Sequence, residues 1–213
     1  MMDLVARLQR RLSGPLPGHD AFLELSGYKR PDLERARQLD PPPRESAVLA
    51  LLYPKDDDLH LLLMVRPTYD GVHSGQVSFP GGKREPGDAD LTQTALREFA
   101  EETGAAADQV DVLGELSSVY IPPSRMLVIP YVGFAERIGP WQPDPKEVAR
   151  LLEVPLEEVM REDILKRREQ FIQIMGRSVE IPYFDLAGEV VWGATAMMIA
   201  ELRELLLHDT EFR

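Results

Sequence analysis

A mixed α/β fold, with one mixed β-sheet sandwiched between helices, is the class this 213-residue sequence predicts. Three observations carry that expectation. Two short apolar runs, Ala47 to Tyr53 and Leu59 to Val65, surround Pro54-Lys55-Asp56-Asp57-Asp58 and read as a hairpin of buried strands. Between residues 91 and 103, Leu91, Ala95, Leu96 and Phe99 form a helical apolar stripe, with Asp90 placed to cap its start and Gly104 to close its end. A second helix, from about Trp192 to Leu207, ends the apolar pattern. Strands flanked by helices on either side bury both faces of a sheet.

The other elements follow along the chain. Leu4, Leu8 and Leu12 give helical spacing over residues 3 to 13, ended by Gly14-Pro15. A polar, proline-rich connector then reaches Pro41-Pro42-Pro43, so residues 1–45 are expected to be an N-terminal helix with its connector and 46–213 the main domain. A glycine-rich stretch, Gly71 to Gly87, contains a short strand at Gln76 to Phe79. Val110 to Leu116 and Met126 to Phe134 read as strands separated by a turn at Pro122-Pro123-Ser124. Val154-Pro155-Leu156 leads into a short acidic helix, and Phe171 to Met175 with Ser178 to Phe184 form a second hairpin candidate around Gly176.

Composition narrows the function. With 44% hydrophobic residues the chain can hold a core without cross-links, and with no cysteine it has neither disulfides nor thiolate metal sites. Any metal must sit on oxygen or imidazole. A net charge of −12 disfavours nucleic acid and anionic membrane as partners, and the apolar runs are too short to cross a bilayer. Near Met1, Arg7, Arg10 and Arg11 interrupt any signal-peptide pattern, so a cytoplasmic protein with a small-molecule partner is expected. The oligomeric state stays open, a homodimer included.

The chemistry concentrates between residues 81 and 104. Glu98, Glu101 and Glu102 fall at i, i+3 and i+4, so three carboxylates share one helix face. Like charges at that spacing repel by roughly a few tenths of a kcal/mol per pair. Alone, such a triplet is most often a solvated surface. Here it has company: the Gly81-Gly82 turn after a strand, Arg97 beside the first glutamate, and Gly104 at the helix end. A hard divalent cation, Mg²⁺ or Mn²⁺, turns the repulsion into ligation while keeping positions open for water and phosphate oxygens. The two glycines let a backbone carbonyl approach it, and Arg97 can orient a glutamate and screen its charge. Such a set suits attack of water on a pyrophosphate. The histidines add little: His73 sits in the glycine-rich loop without a partner, and His19, His60 and His208 lack ligand spacing. Gly81-Gly82-Lys83 lacks the rest of a P-loop.

Together Gly82, Arg97, Glu98, Phe99, Glu101, Glu102 and Gly104 resemble the Nudix box. The acid after the glycine is Asp88 rather than glutamate, and the interval to Arg97 is one residue longer than in the general box; both features resemble the coenzyme A pyrophosphatase branch. Upstream, Leu62, Leu63, Arg66, Gly75, Phe79, Pro80, Gly81 and Gly82 are similar to that branch's second signature, from which Met64, Pro67 and Gly71 depart. Gly71 stands where the branch carries an arginine, removing a possible contact to substrate phosphate. Glu147-Val148, Val154-Pro155-Leu156, Pro182-Tyr183-Phe184 and Trp192 to Ala196 extend the likeness to about Leu206, although Tyr183 and Trp192 also read as core residues.

The resemblance implies a Nudix fold and a coenzyme A diphosphatase, yielding 4′-phosphopantetheine and adenosine 3′,5′-bisphosphate. It implies Mg²⁺ or Mn²⁺ on Glu98, Glu101, Glu102 and the Gly82 carbonyl. Arg97, Glu98 and Glu101 form the expected catalytic set, with one of the box glutamates or a glutamate further along as base. Arg66, Gly81 and Lys83 are the expected substrate contacts. Two other readings stand beside it: a Nudix pyrophosphatase for ADP-ribose, a nucleoside diphosphate sugar or a dinucleoside polyphosphate, and a non-catalytic nucleotide sensor.

Overall fold

The computed structural model describes residues 2–24, 33–68, 74–172 and 175–207. Gly71, His73 and His208 lie outside them. The described helices are α1 (Met2–Leu12), α2 (Asp20–Glu24), α3 (Leu33–Arg37), α4 (Leu91–Thr103), α5 (Leu156–Met160) and α6 (Gly193–Leu207). The strands are β1 (Arg44–Lys55), β2 (Asp58–Val65), β3 (Val77–Ser78), β4 (Gly81–Lys83), β5 (Asp111–Glu115), β6 (Val119–Ile121), β7 (Met126–Phe134), β8 (Arg150–Pro155), β9 (Leu165–Ile172), β10 (Arg177–Leu186) and β11 (Glu189–Trp192).

Eight strands form one mixed sheet, along the path β3-β2-β1-β7-β5, with β4 on β1, β6 on β7 and β8 on β2. The β1–β7 pair is parallel and the others are antiparallel. A separate antiparallel sheet orders β11-β10-β9. The expected mixed sheet between helices is therefore what the chain forms.

Strand alternation explains the layers. Ala47, Leu49, Leu51 and Tyr53 of β1, with Leu62 of β2, pack against Ala95 and Phe99 of α4. Ala50 and Leu52, with Leu61 and Leu63, point to the opposite face and join Leu8 of α1 with Ile199 and Leu202 of α6. Successive side chains of a strand face opposite sides, so a sheet covered by helices twice must be apolar on both. The uninterrupted run 49–53 meets that demand.

The expected connector is more structured than its prolines suggested, since α2 and α3 lie within it. The helix α1 packs on β5, where a Cβ added at Gly114 would come within 2.7 Å of Leu12 Cβ. That position, with φ near +158°, admits the helix because glycine has no side chain.

Candidate active site

The site is built on α4 and on the β4 turn before it. Asp90 accepts the Gln93 N–H at 2.8 Å, and Gln93 Oε1 returns a bond from the Ala89 N–H at 2.6 Å. At the other end Gly104 adopts the left-handed conformation and donates its N–H to the Ala100 carbonyl. Both ends thus satisfy backbone groups that a helix leaves over. Fixed ends hold the glutamates of the last two turns in register.

Arg97 lies at the centre of a charge network. Its Nε and one terminal nitrogen donate to Asp88 at 2.9 and 3.0 Å. The other terminal nitrogen donates to Glu98 at 3.0 Å and Glu101 at 2.9 Å, and the Lys83 carbonyl takes a further bond at 3.1 Å. Asp88 is buried and also accepts from the Glu85 N–H and the Thr94 hydroxyl, each at 2.9 Å. The Arg97 bond, with these others, holds its carboxyl well below the usual carboxylate range. A bidentate guanidinium–carboxylate pair fixes orientation as well as charge. Asp88, noticed in the sequence only as a departure, is the group that aims Arg97.

The glutamates separate into two environments. Glu102 is buried; its Oε2 accepts the Gly81 N–H at 2.7 Å, while Arg66 lies 3.9 Å from Oε1. Burial, with Glu98 and Glu147 nearby, pushes its carboxyl up to about 8 against the pull of Arg66 and the Gly81 N–H. Burial raises Glu98 too, opposed by Arg97. Carboxylate oxygens of Glu98, Glu102 and Glu147 lie within 4.8 Å of one another. Glu101 is not in this group: its carboxylate is exposed and bonded to Arg97. Glu147 comes from the segment between β7 and β8, far from the box in sequence. The Glu147-Val148 pair was its one sequence signal, and it carried no assigned role there.

The remaining expected residues take specific places. Gly81 has φ near +149°, and a Cβ there would collide with β1; at Gly82 it would come within 2.4 Å of the Glu98 carboxylate. Glycine at 81 lets the turn lie against the β1 backbone, and glycine at 82 leaves the space that the Glu98 carboxylate occupies. The Gly82 carbonyl accepts from Ser46 Oγ at 2.5 Å, and the Gly81 carbonyl from Arg66 at 3.3 Å. The Gly81 N–H is engaged by Glu102, so Gly81 shapes the carboxylate group. Lys83 is exposed on the rim and serves Arg97 through its carbonyl.

Can this group hold a hard divalent cation? Three carboxylates converge, one of them buried with its carboxyl raised by that burial and by its neighbours, and the cations beside them are Arg97, bonded to Glu98 at 3.0 Å, and the half-buried Arg66, 3.9 Å from Glu102. Oxygen donors in that arrangement fit Mg²⁺ or Mn²⁺. The fit is chemical: the electrostatic strain of three close carboxylates is what a dication relieves.

Comparison with known proteins agrees with the motif. The family model for the NUDIX domain matches residues 43–174. The chain is 36% identical over 161 residues to Nudix hydrolase 15, mitochondrial, from Arabidopsis thaliana, covering 72% of this chain and 55% of that protein. Nudix hydrolase 22, chloroplastic, from the same plant is 35% identical over 165 residues, covering 74% and 53%. The chain thus spans about half the length of these plant relatives. An uncharacterized Nudix hydrolase, NudL, of Yersinia pestis (strain Pestoides F) is 35% identical over 144 residues, covering 68% of this chain and 71% of that one. Among solved structures, a MutT/nudix family protein from Enterococcus faecalis aligns with a TM-score of 0.51 at 17% identity, over 84% of this chain and 63% of that one, a likeness of fold. A domain match over more than half the chain, with a relative covered for more than two thirds of its length, places this protein in the Nudix hydrolase family.

Proposed function

We propose that the protein hydrolyses a pyrophosphate bond in a small nucleotide-like substrate, with Mg²⁺ or Mn²⁺ held by Glu98, Glu102 and Glu147. The convergence of those three carboxylates is the observation that carries the reading. When bound, the metal neutralises charge developing on the phosphoryl oxygens and acidifies water. The protein's own part is orientation. Asp88 aims Arg97, Arg97 fixes Glu98, and the Gly81 N–H fixes Glu102. One of the two less buried glutamates of the set, Glu98 or Glu147, takes a proton from the attacking water. The water oxygen bonds to one phosphorus, the bridging P–O bond breaks, and the departing phosphate keeps the bridging oxygen. Glu101, bonded to Arg97 at the exposed rim, tunes that arginine.

Coenzyme A or a derivative is the favoured substrate, on the motif residues Arg66, Gly75 and Phe79 to Gly82. Arg66 reaches the carboxylate group from one side and supplies one charge-assisted contact for a phosphate oxygen. Gly71 supports the second reading, another nucleoside diphosphate derivative, because an arginine there would give a second contact. Incubating the metal-loaded protein with coenzyme A, ADP-ribose, a nucleoside diphosphate sugar and a dinucleoside polyphosphate, with identification of each product, tests both. Coenzyme A should show the highest kcat/KM. Faster turnover of another member overturns the specificity and leaves the chemistry. Binding without turnover across the panel would favour a nucleotide sensor. Excess chelator should abolish activity, and turnover that persists in it removes the metal from the mechanism.

A further inference from the structure

Glu147 lies on an irregular segment, yet its carboxylate meets two others carried by a capped helix. Something must fix the distance between segment and helix. The Gln142 N–H donates to the Thr103 carbonyl at 2.8 Å, and the Asp144 N–H to the Glu102 carbonyl at 3.2 Å. The Asp144 carbonyl in turn accepts the N–H groups of Glu147 and Val148, at 3.1 and 2.8 Å. The Glu147 backbone is therefore one residue's bonds away from the backbone of Glu102.

Beside these bonds stands one large side chain. Trp141 sets its ring edge-on to Tyr53 (5.4 Å, 76°) and to Phe99 (6.4 Å, 88°). Its indole N–H donates to Glu153 Oε2 at 2.8 Å, the same oxygen that takes the Tyr53 hydroxyl at 2.6 Å. Lys55 adds a bond to the other oxygen at 3.0 Å. Phe99 belongs to α4, Tyr53 to β1 and Glu153 to β8, so one ring joins the segment to three elements. Offset and edge contacts between aromatic rings are directional, and a satisfied indole N–H adds a second fixed direction.

We propose that Trp141 is a positioning residue: held by Phe99, Tyr53 and Glu153, it seats the 141–148 segment on the end of α4 so that Glu147 meets Glu98 and Glu102. The inference rests on the reading of these carboxylates as a metal site. It places a determinant of Glu147 geometry on a residue outside the carboxylate group itself.

The test is a double-mutant cycle read by Mn²⁺ binding to the metal-free protein, by titration calorimetry or electron paramagnetic resonance. Trp141→Ala should weaken Mn²⁺ binding about tenfold, the lower end of what supporting residues of metal sites cost. In a Glu147→Gln background the same change should cost less than about twofold, because interacting residues are not additive. The kcat should fall with Trp141→Ala while KM stays within about twofold, and Trp141→Phe, which keeps an aromatic ring against Tyr53 and Phe99 but loses the bond to Glu153, should recover part of the affinity. Equal weakening in both backgrounds, or none in either, overturns the positioning role and leaves the metal site standing. Failure of the unaltered protein to bind Mn²⁺ overturns the metal site and this inference with it. If Trp141→Ala does not fold, the cycle with Trp141→Leu gives the same decision.

Discussion

The carboxyl of Glu102 ties stability, pH and metal binding together at one residue. Its ordinary value near 4.5 rises to about 8 in the folded protein, burial being the largest cause. Between those values the folded state holds a proton that the unfolded state releases, so stability falls as pH rises. The contribution is fully present below about pH 4.5 and is lost as pH passes through about 8. The metal-free protein should therefore show a Tm that declines from pH 6 to pH 9, measured by calorimetry. Glu102→Gln should flatten that decline, raise the Tm at the alkaline end and remove activity. A steeper decline in the variant would mean that the carboxylate is stabilising where it sits. Metal binding near pH 7 should release about one proton per Glu102, detectable as a dependence of binding heat on buffer. Asp88 acts at one remove. Asp88→Asn leaves the side chain's size but weakens its grip on Arg97, and kcat/KM should fall by roughly ten- to a hundredfold. An unchanged rate would show that Arg97 is aimed well enough by Glu98, Glu101 and the Lys83 carbonyl.

At the scale of elements, local rules account for what the sequence disclosed. Helix α4 was legible to its boundaries, because Asp90, the Leu91–Phe99 stripe and Gly104 are all local signals. Strand β7 was equally legible as a continuous apolar run. Other elements exist only through partners. Val119–Ile121 becomes a strand by lying along β7, and Arg150–Pro155 by pairing with β2. Leu165–Ile172 is mostly charged or exposed, and its strand form is imposed by β10. The site divides in the same way. Glu98 and Glu102 come from one helical period, whereas Glu147 arrives through a long segment whose anchors, Trp141 and Asp144, carry no periodic signal. Gly104 sits where the two meet: it caps α4, and a Cβ there would come within 2.7 Å of Gln142 Cβ and closer to its carbonyl oxygen. Gly104→Ala should cost about 1–2 kcal/mol from the left-handed backbone alone. The collision adds to this and displaces the segment carrying Glu147. A fall in Tm accompanied by weaker Mn²⁺ binding is expected; a fall in Tm with unchanged Mn²⁺ binding would confine the glycine's role to capping.

For the whole molecule, the question is whether the N-terminal helix is an appendage or part of the protein's core. Leu4, Val5, Leu8 and Leu12 are buried in the same cluster as Val132 of the main sheet and Ile199 and Leu202 of α6. Polar contacts follow the same path. Arg11 donates to the Leu205 carbonyl at 3.0 Å, and the Gly18 N–H to Glu201 at 2.9 Å. The buried Glu201 also accepts from the Ser117 N–H and hydroxyl, at 2.9 and 2.6 Å, so one carboxylate joins the connector, the segment after β5 and α6. Burying that charge without such donors would be costly; with them it fixes the three segments relative to one another. We therefore expect the N-terminal segment and the Nudix domain to unfold together. Leu8 is 2% exposed, and Leu8→Ala should destabilise the protein by about 2–5 kcal/mol, the usual cost of emptying a leucine site in a core. Denaturant unfolding followed by both fluorescence and circular dichroism should give coincident transitions, shifted as one by the substitution. An appendage would behave otherwise: Leu8→Ala would leave the main transition in place, and a separate early phase would report the loss of α1 alone.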